Sequence, residues 1–361
     1  MRPHRLVVAT ALALATSMVP TLSACASTVE ETSPKPASPV VVKTAREPAP
    51  RVVVAISVDG LNPTAITRLG KTGAPALHRM IEQGTGTLNA RSARELTRTL
   101  PNHTGMLTGR PIKGARGHHV TFNEDNGSIL PAVAGGYVAG VFDVVHDHGL
   151  RTAFYSSKDK FDFLDRSWDA AHGAADKTGA DDGRDKIDRY VVDTEVANVT
   201  RLVQRLRRSP DAFSFVHLAQ PDQAGHASGF MSPTYLRAVT AADNQVGRIL
   251  DAVRKDRVLR SRTTVVLTAD HGGKGPSHAD MTRRADYRVP FLAWGAGVAK
   301  GADLYDLNAD RRENPGRART AYSGMQPVRN AEVANVVTGL LDLPLVPGSV
   351  FGRTRLVLSK G

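Results

Sequence analysis

Asp270, His271 and His278 are the residues of this 361-residue chain whose types and spacing first suggest chemistry. Asp270 and His271 follow a run of β-branched and apolar residues, 263–267, that predicts a buried strand. An Asp beside a His at the carboxyl end of a strand can bind a cation, and open α/β sheets carry their ligand sites at that end. A polar turn that happens to hold two histidines explains this segment alone equally well. The other strand ends of the chain therefore decide between the two interpretations.

Carboxylates follow two further predicted strands. Asp59 comes after the apolar run 51–57, and Asp222 comes after 212–218, with His226 four residues later. Because the carboxyl ends of parallel strands lie on one edge of a sheet, we expect all three acidic residues to converge. Mixed carboxylate and imidazole ligands suit a divalent cation such as Zn²⁺, and the ligands available are enough for two ions.

Thr99 and Asn102 lie in the segment 95–109, in which Pro101 stands where a helix can begin. The segment places both side chains near a helix N-terminus, whose unsatisfied N–H groups and positive dipole end favour a phosphate. A threonine in this setting can also serve only as the N-cap of the helix.

Extended and helical patterns alternate along the folded part of the chain. Strands are predicted at 51–57, 87–90, 151–156, 212–218, 263–267 and 288–295. Helices are predicted at 74–83, 101–107, 138–149, 196–208, 239–253 and 333–341. The alternation predicts an α/β fold, with a mostly parallel central sheet covered by helices on both faces.

The first 50 residues predict export and a lipid anchor. Residues 1–24 combine two arginines with an apolar run, as a secretory signal peptide does, and the run is short for a membrane span. It ends in LSAC, which looks like a bacterial lipobox with Cys25 as the lipidated residue. An ordinary buried cysteine is the alternative. If Cys25 carries the lipid, a Cys25→Ser change should release the protein from membranes, and unchanged membrane association would refute the anchor. Residues 25–50 predict a disordered tether, and 51–361 a catalytic domain held at the outer face of the cytoplasmic membrane.

The charge of the chain favours anionic partners. The formal net charge of +12 becomes +10 when Arg2 and Arg5 leave with the signal peptide. A basic protein attracts anionic headgroups and phosphate-ester substrates. The basic residues are scattered and the sequence has no nucleic-acid-binding motif, so most of them are interpreted as a solvated surface. Because Cys25 is the only cysteine, a metal site must use His, Asp, Glu or hydroxyl ligands. The oligomeric state is not indicated.

Six short motifs resemble, in the same order, those of the type I phosphodiesterase and nucleotide pyrophosphatase branch of the alkaline phosphatase superfamily. The resemblance extends from about residue 52 to about residue 297 and implies an alkaline-phosphatase-like three-layer sandwich that hydrolyses phosphoric esters. The motifs are VDG at 58–60, TLPNH at 99–103, GHH at 117–119 with Asn123, SKDK at 157–160, PDQAGH at 221–226 and DHG at 270–272.

The resemblance also implies a role for each site residue. Thr99 would be the nucleophile, would lie on one of the ions and would form a covalent phosphothreonine, and Asn102 would donate to a phosphoryl oxygen. Two zinc ions, or other divalent cations, would be held by two sets of ligands: Asp222, His226 and His278 for one, and Asp59, Asp270 and His271 for the other.

His278 is the least direct match to the family. Animal members take the last zinc histidine from far downstream, whereas the short loop before His278 resembles that of bacterial members. A site that binds only one ion tightly is therefore the alternative. His118 or His119 could also approach the site, although a structural role is the simpler interpretation of each.

Two other functions are open at this point. A phosphomonoesterase would share the metals, with Lys158, Lys160 or an arginine on the additional phosphate oxygen. A non-catalytic envelope lipoprotein that retains the fold would lack ligands or the nucleophile, whereas all seven positions are filled here. A sulfatase is disfavoured, because residues 99–103 contain neither the Cys or Ser nor the Arg that sulfatases carry in this motif.

Overall fold

The first strand, β1, is buried along its whole length of seven residues, Val52–Val58. Because alternate residues of a strand point to opposite faces, both faces of the sheet are covered at this strand. The computed structural model describes residues 51–179 and 182–359, which lie in one compact unit, Pro48–Gly361. The predicted signal peptide, Cys25 and the tether lie outside the described residues.

The remaining strands of the described residues are β2 Thr85–Arg91, β3 Thr152–Ser156, β4 Tyr190–Val192, β5 Phe213–Leu218, β6 Thr263–Thr268, β7 Arg288–Gly295 and β8 Ala302–Asp303. The eight strands form one sheet in the order β4-β3-β5-β1-β6-β7-β2-β8. The pairs that β1 forms with β5 and β6, and that β3 forms with β4 and β5, are parallel, while β7 runs antiparallel to β6 and β2. The sheet is therefore mostly parallel, as predicted.

Thirteen α-helices and two 3₁₀-helices, at Asp159–Phe161 and Asn330–Glu332, connect and cover these strands within the described part of the chain. None of these helices has the length and apolar character needed to cross a bilayer. The α-helices are α1 Pro63–Gly73, α2 Pro75–Gln83, α3 Thr99–Thr108, α4 Leu130–Ala134, α5 Val141–His146, α6 Asp162–Ser167, α7 Glu195–Arg208, α8 Gln220–Ser228, α9 Pro233–Lys255, α10 Arg257–Arg262, α11 Arg284–Tyr287, α12 Leu304–Leu307 and α13 Val333–Leu340.

Three differences from the predicted elements bear on the site. Helix α3 begins at Thr99, before Pro101, and Arg98 is its N-cap, so Thr99 lies inside the first turn and is not the cap. Residues 220–228, for which no helix was predicted, form α8. The helix predicted at 138–149 is shorter, because Gly140 caps it and its N–H donates to Asp143 Oδ2 at 2.7 Å.

Candidate metal centre and nucleophile

Three segments at the carboxyl ends of β1, β5 and β6 meet at one place. Asp59 follows β1, and its N–H donates to Leu218 O at the end of β5, at 2.9 Å. Asp270 follows β6, and its Oδ1 accepts from Gly60 N at 3.0 Å. Because β1 lies between β5 and β6, these bonds hold the three segments side by side. The convergence expected from the strand ends is present.

Asp59, Asp270 and His271 form a fully buried cluster whose ligand atoms lie within 4.8 Å of one another. His271 Nε2 is 3.5 Å from Asp59 Oδ1 and 3.1 Å from Asp270 Oδ2. The other ring nitrogen, Nδ1, donates to Gly272 O at 2.8 Å. Nε2 is therefore the nitrogen that faces the carboxylates, as a metal ligand would.

Asp222, His226 and His278 form an adjoining cluster. Asp222 and His226 are four residues apart on α8 and share one face of the helix, with Oδ1 and Nε2 3.3 Å apart. His278 Nε2 is 3.7 Å from Asp222 Oδ1 and 3.0 Å from His226 Nε2. Two ligand nitrogens of one zinc ion lie roughly 3 Å apart, given Zn–N bonds of about 2.0–2.1 Å. Asp222 and His278 also group with His271, so the two clusters are neighbours.

Residues 272–277 bring His278 back to the site, where Thr97 anchors it. Thr97 Oγ1 donates to His278 O, and His278 Nδ1 donates to Thr97 O, both at 2.5 Å. The His278 ring also stacks on the His271 ring, with centroids 3.6 Å apart and an interplanar angle of 9°. The short loop is thus long enough, because its end is fixed two residues before Thr99.

Four buried atoms of these residues have no hydrogen-bond partner among the described residues. An unpaired buried polar atom costs about 1–3 kcal/mol, and four in one place point to a missing ligand. A divalent cation in each cluster would satisfy all of them, so the residues present fit a two-ion centre. The atoms are Asp59 Oδ1, Asp222 Oδ1, Asp270 Oδ2 and His271 Nε2.

Neighbouring charges keep the carboxylates ionised. Burial raises the pKa of Asp59, but Lys158 and His217 together hold that pKa well below its usual value. Burial and Asp59 raise the pKa of Asp222, yet His226, His271 and Lys158 bring it below the ordinary value. Burial lowers the pKa of His271, and the Asp270 carboxylate raises it to a net value of about 9. The ionised carboxylates attract a cation, and Lys158 and the His271 imidazolium offset part of their negative charge.

Thr99 is held beside the first cluster by the first turn of α3. His103 connects the two: its Nδ1 is 2.8 Å from Thr99 O, its Nε2 is 2.8 Å from Ser57 Oγ, and its ring lies 3.9 Å from Asp270 Oδ2. Thr99 is 1% exposed, and its hydroxyl makes no hydrogen bond to any described residue. The hydroxyl therefore has no partner among the described residues, and the role of Thr99 as the nucleophile stays a prediction.

Asn102 is engaged with the backbone. Its Nδ2 donates to Leu96 O at 2.8 Å and to Arg98 O at 2.9 Å, and its Oδ1 accepts from Ala93 N at 2.8 Å. In this structure Asn102 therefore positions the segment that leads into α3. Donation from Asn102 to a phosphoryl oxygen would break one of these bonds, and this role stays a prediction.

Asn123 is a better placed amide, to which the sequence reasoning gave no role. Its Oδ1 accepts from Leu100 N at 3.0 Å, which places the side chain over the N-terminus of α3 next to Thr99. Its Nδ2 makes no hydrogen bond within the described residues. The GHH motif before it pointed to this residue, whereas His118 and His119 themselves belong to no group of metal-binding side chains in the described part.

Phe230 is packed among the segments that carry the ligands. A Cβ added to Gly60, Gly225 or Gly273 would touch the Phe230 ring at 3.0 Å or less. The ring also lies 5.7 Å from the His226 ring and 5.8 Å from the His278 ring. The absence of side chains at these three glycines therefore lets the Phe230 ring pack against the rings of His226 and His278.

Gly225→Ala is expected to destabilise the protein by about 1–3 kcal/mol, because the new methyl group lies 2.5 Å from Phe230 Cε1 and overpacks the site. Gly247→Ala is the matched control, since Gly247 is also helical and its Cβ would meet only Ala76, at 3.5 Å. That change should be stabilising by roughly 0.5–1 kcal/mol. Denaturant unfolding of both variants checks the difference, and equal stabilities would refute the packing role of Phe230.

A comparison with protein families decides what this arrangement belongs to. The model described as "Type I phosphodiesterase / nucleotide pyrophosphatase" matches residues 53–124 and 138–325, which is more than half of the chain. The chain belongs to the type I phosphodiesterase / nucleotide pyrophosphatase family. The match includes every ligand and the nucleophile predicted from the sequence.

Curated relatives include proteins named GPI ethanolamine phosphate transferase 1. The one from Homo sapiens is 25% identical over 331 residues, which are 84% of this chain and 32% of that protein. The one from Yarrowia lipolytica is 24% identical over 278 residues, which are 70% of this chain and 27% of that protein. This member of the type I phosphodiesterase family thus spans about a third or less of their length.

Solved structures confirm the fold of the family. Murine ectonucleotide pyrophosphatase / phosphodiesterase 5, an inactive variant in complex with AMP, superposes with a TM-score of 0.59 at 14% identity. The match covers 86% of this chain and 100% of that chain. At this identity the likeness shows the fold, and the chemistry depends on the residues described above.

Proposed function

We propose that this family member is a metal-dependent phosphoric ester hydrolase of the phosphodiesterase and nucleotide pyrophosphatase type, with two zinc ions and a covalent phosphothreonine intermediate. The observation that carries the proposal is the convergence of four unpaired buried ligand atoms, from three strand ends, beside the helix turn that presents Thr99. Asp59, Asp270 and His271 would hold one ion, and Asp222, His226 and His278 the other. The ions would supply positive charge to the phosphoryl oxygens and lower the pKa of the Thr99 hydroxyl.

The reaction at Thr99 follows from its position. Thr99 Oγ1 loses its proton to solvent and attacks phosphorus in line with the ester bond. The Oγ1–P bond forms as the P–O bond to the leaving alcohol breaks, and the leaving oxygen takes the electron pair and then a proton from water. The N-terminus of α3 stabilises the negative oxygens, with Asn123 available as a donor. Water then cleaves the Oγ1–P bond and restores Thr99.

Transfer to an alcohol is a second candidate function. The curated relatives that cover most of this chain are named phosphate transferases. A phosphothreonine can react with an alcohol in the same way as with water, so one site supports both outcomes. Adding an alcohol such as glycerol to the assay distinguishes them: a transferase yields a new phosphate ester, and a hydrolase yields only the hydrolysed product.

A pair of aryl phosphates tests the proposed function. We expect turnover of a bis-aryl phosphate with a much smaller kcat/KM for the mono-aryl phosphate. Lys158, which contacts the candidate ligands, already donates to Asp59 and Asp222 and is not free to bind an additional phosphate oxygen. The reverse preference would favour the phosphomonoesterase. No turnover of either ester by metal-loaded protein would favour a non-catalytic envelope protein that retains the fold.

A further inference from the structure

Lys158 connects the two clusters of candidate ligands. Its Nζ donates to Asp59 Oδ2 at 2.6 Å and to Asp222 Oδ2 at 2.7 Å, and its side chain is only 12% exposed. Asp59 belongs to the cluster of Asp270 and His271, and Asp222 to the cluster of His226 and His278. A single ammonium group therefore bridges ligands of both proposed ions.

The two oxygens of each carboxylate have different surroundings. Lys158 contacts Oδ2 of Asp59 and Oδ2 of Asp222, whereas Oδ1 of each has no hydrogen-bond partner among the described residues. Asp59 Oδ1 faces His271 Nε2 at 3.5 Å, and Asp222 Oδ1 faces His226 Nε2 at 3.3 Å. The ammonium thus contacts the carboxylate oxygens that do not face the candidate ligands His226 and His271. An ion held by Oδ1 and the imidazoles would leave Lys158 in place.

The surroundings of Lys158 keep it on that side. Ser156 Oγ accepts from Lys158 N at 3.1 Å and donates to Lys158 O at 2.6 Å, which fixes the turn after β3. His217 places a second donor on the same oxygen of Asp59, at 3.0 Å. Because Ser157 N donates to His217 Nδ1 at 3.4 Å, the proton of His217 is on Nε2 and points to Asp59. Asp59 Oδ2 therefore accepts hydrogen bonds from two donors, whereas Asp59 Oδ1 accepts none and is available to bind a cation.

The charges make the bridge necessary before any ion is bound. Asp59 and Asp222 are buried carboxylates whose closeness is unfavourable without a cation between them. Resting on the proposed function, we infer that Lys158 is a positioning residue that holds Asp59 and Asp222 by their Oδ2 atoms. Lys158 thereby directs Asp59 Oδ1 to one ion and Asp222 Oδ1 to the other. Each carboxylate then binds its ion through a single oxygen.

Lys158→Met tests this inference, with Lys160→Met as the matched control. Lys160 is two residues away, but its Nζ contacts Glu124 at 2.8 Å and touches none of the candidate ligands. In chelator-treated protein, we expect Lys158→Met to lower the melting temperature by roughly 5–10 °C, because a buried ion-pair network loses its cation. Lys160→Met should melt within about 2 °C of the wild type, as expected for a partly exposed pair.

The visible spectrum of cobalt-substituted protein supplies the second measurement. Loss of Lys158 frees Oδ2 of both carboxylates to bind the ion as well, which raises the coordination number and weakens the d–d absorption of tetrahedral Co²⁺. Lys160→Met should keep the wild-type spectrum. A wild-type protein that binds no cobalt would contradict the proposed function itself.

Two results would overturn the role of Lys158 while leaving the proposed function intact. The first is an unchanged melting temperature of metal-free Lys158→Met, which would show that the contacts of Lys158 with Asp59 and Asp222 do not stabilise the metal-free protein. The second is a cobalt spectrum identical to that of the wild type, which would show that Lys158 leaves the carboxylates when ions bind. Lys158→Arg, which keeps the charge, should restore most of the melting temperature and thereby exclude a general folding defect.

Discussion

Thr99→Ala is expected to lower kcat for a phosphodiester on the order of 10⁴-fold or more while metal content stays at the wild-type value. The change removes the Thr99 oxygen that attacks phosphorus in the first step of the proposed reaction. It leaves the ligands and the His103 bond to the backbone carbonyl of residue 99 in place. Steady-state kinetics with metal analysis on the same preparation measures both quantities.

Thr104→Ala is the matched control for this prediction. Thr104 lies on the same helix and is equally buried, but its hydroxyl donates to Leu100 O at 2.8 Å and takes no part in the proposed reaction. We expect turnover near that of the wild type. Thr99→Ser, which keeps a hydroxyl, should retain measurable turnover. Wild-type activity of Thr99→Ala would refute the assignment of the nucleophile.

His278→Ala is expected to remove one of two bound ions and to lower kcat by roughly 10²–10³-fold. The rate falls because the positive charge of that ion no longer stabilises the attacking or the leaving oxygen. His278 Nε2 lies 3.7 Å from Asp222 Oδ1, so the second cluster loses a ligand while the first stays complete. Metal analysis after dialysis, followed by kinetics, measures the two effects separately.

His226→Ala distinguishes the loss of a ligand from damage to the loop that carries His278. The His226 side chain is half exposed and forms no backbone hydrogen bond, so its removal should release the same ion without moving residues 272–277. His148→Ala is the control, because the His148 ring bonds to Val144 O and contacts none of the candidate ligands. This change should leave both ions bound. Full retention of two ions by both His226→Ala and His278→Ala would contradict the second ion site.

The convergence of the candidate ligands was predictable because it depends on short-range patterns. Asp59, Asp222 and Asp270 each follow an apolar run that forms a strand, and parallel strands bring their ends to one edge. The i and i+4 spacing of Asp222 and His226 is a helical spacing, although no helix was predicted for their segment. Helix α8 forms there because a proline lies in its first turn and the amphipathic helix α9 packs against it.

The partners of the ligands were not predictable, because each contact joins distant parts of the chain. The bond from Lys158 to Asp59 crosses 99 residues, and the bonds between His278 and Thr97 cross 181. Nothing in the local pattern marks Thr97 as the anchor of the loop. For Asn102 the local pattern predicted the position but not the contacts. The residue lies at the start of α3 as predicted, but its amide donates to backbone carbonyls before the helix, which compete with a phosphoryl oxygen for it.

The metal content of the purified wild-type protein, measured together with its phosphodiesterase activity before and after chelation, tests the central claim most directly. The structure predicts two divalent ions per chain, loss of bis-aryl phosphate hydrolysis when a chelator removes them, and recovery when Zn²⁺ is returned. A protein that hydrolyses the diester at full rate without bound metal, or that binds no metal at all, would contradict it.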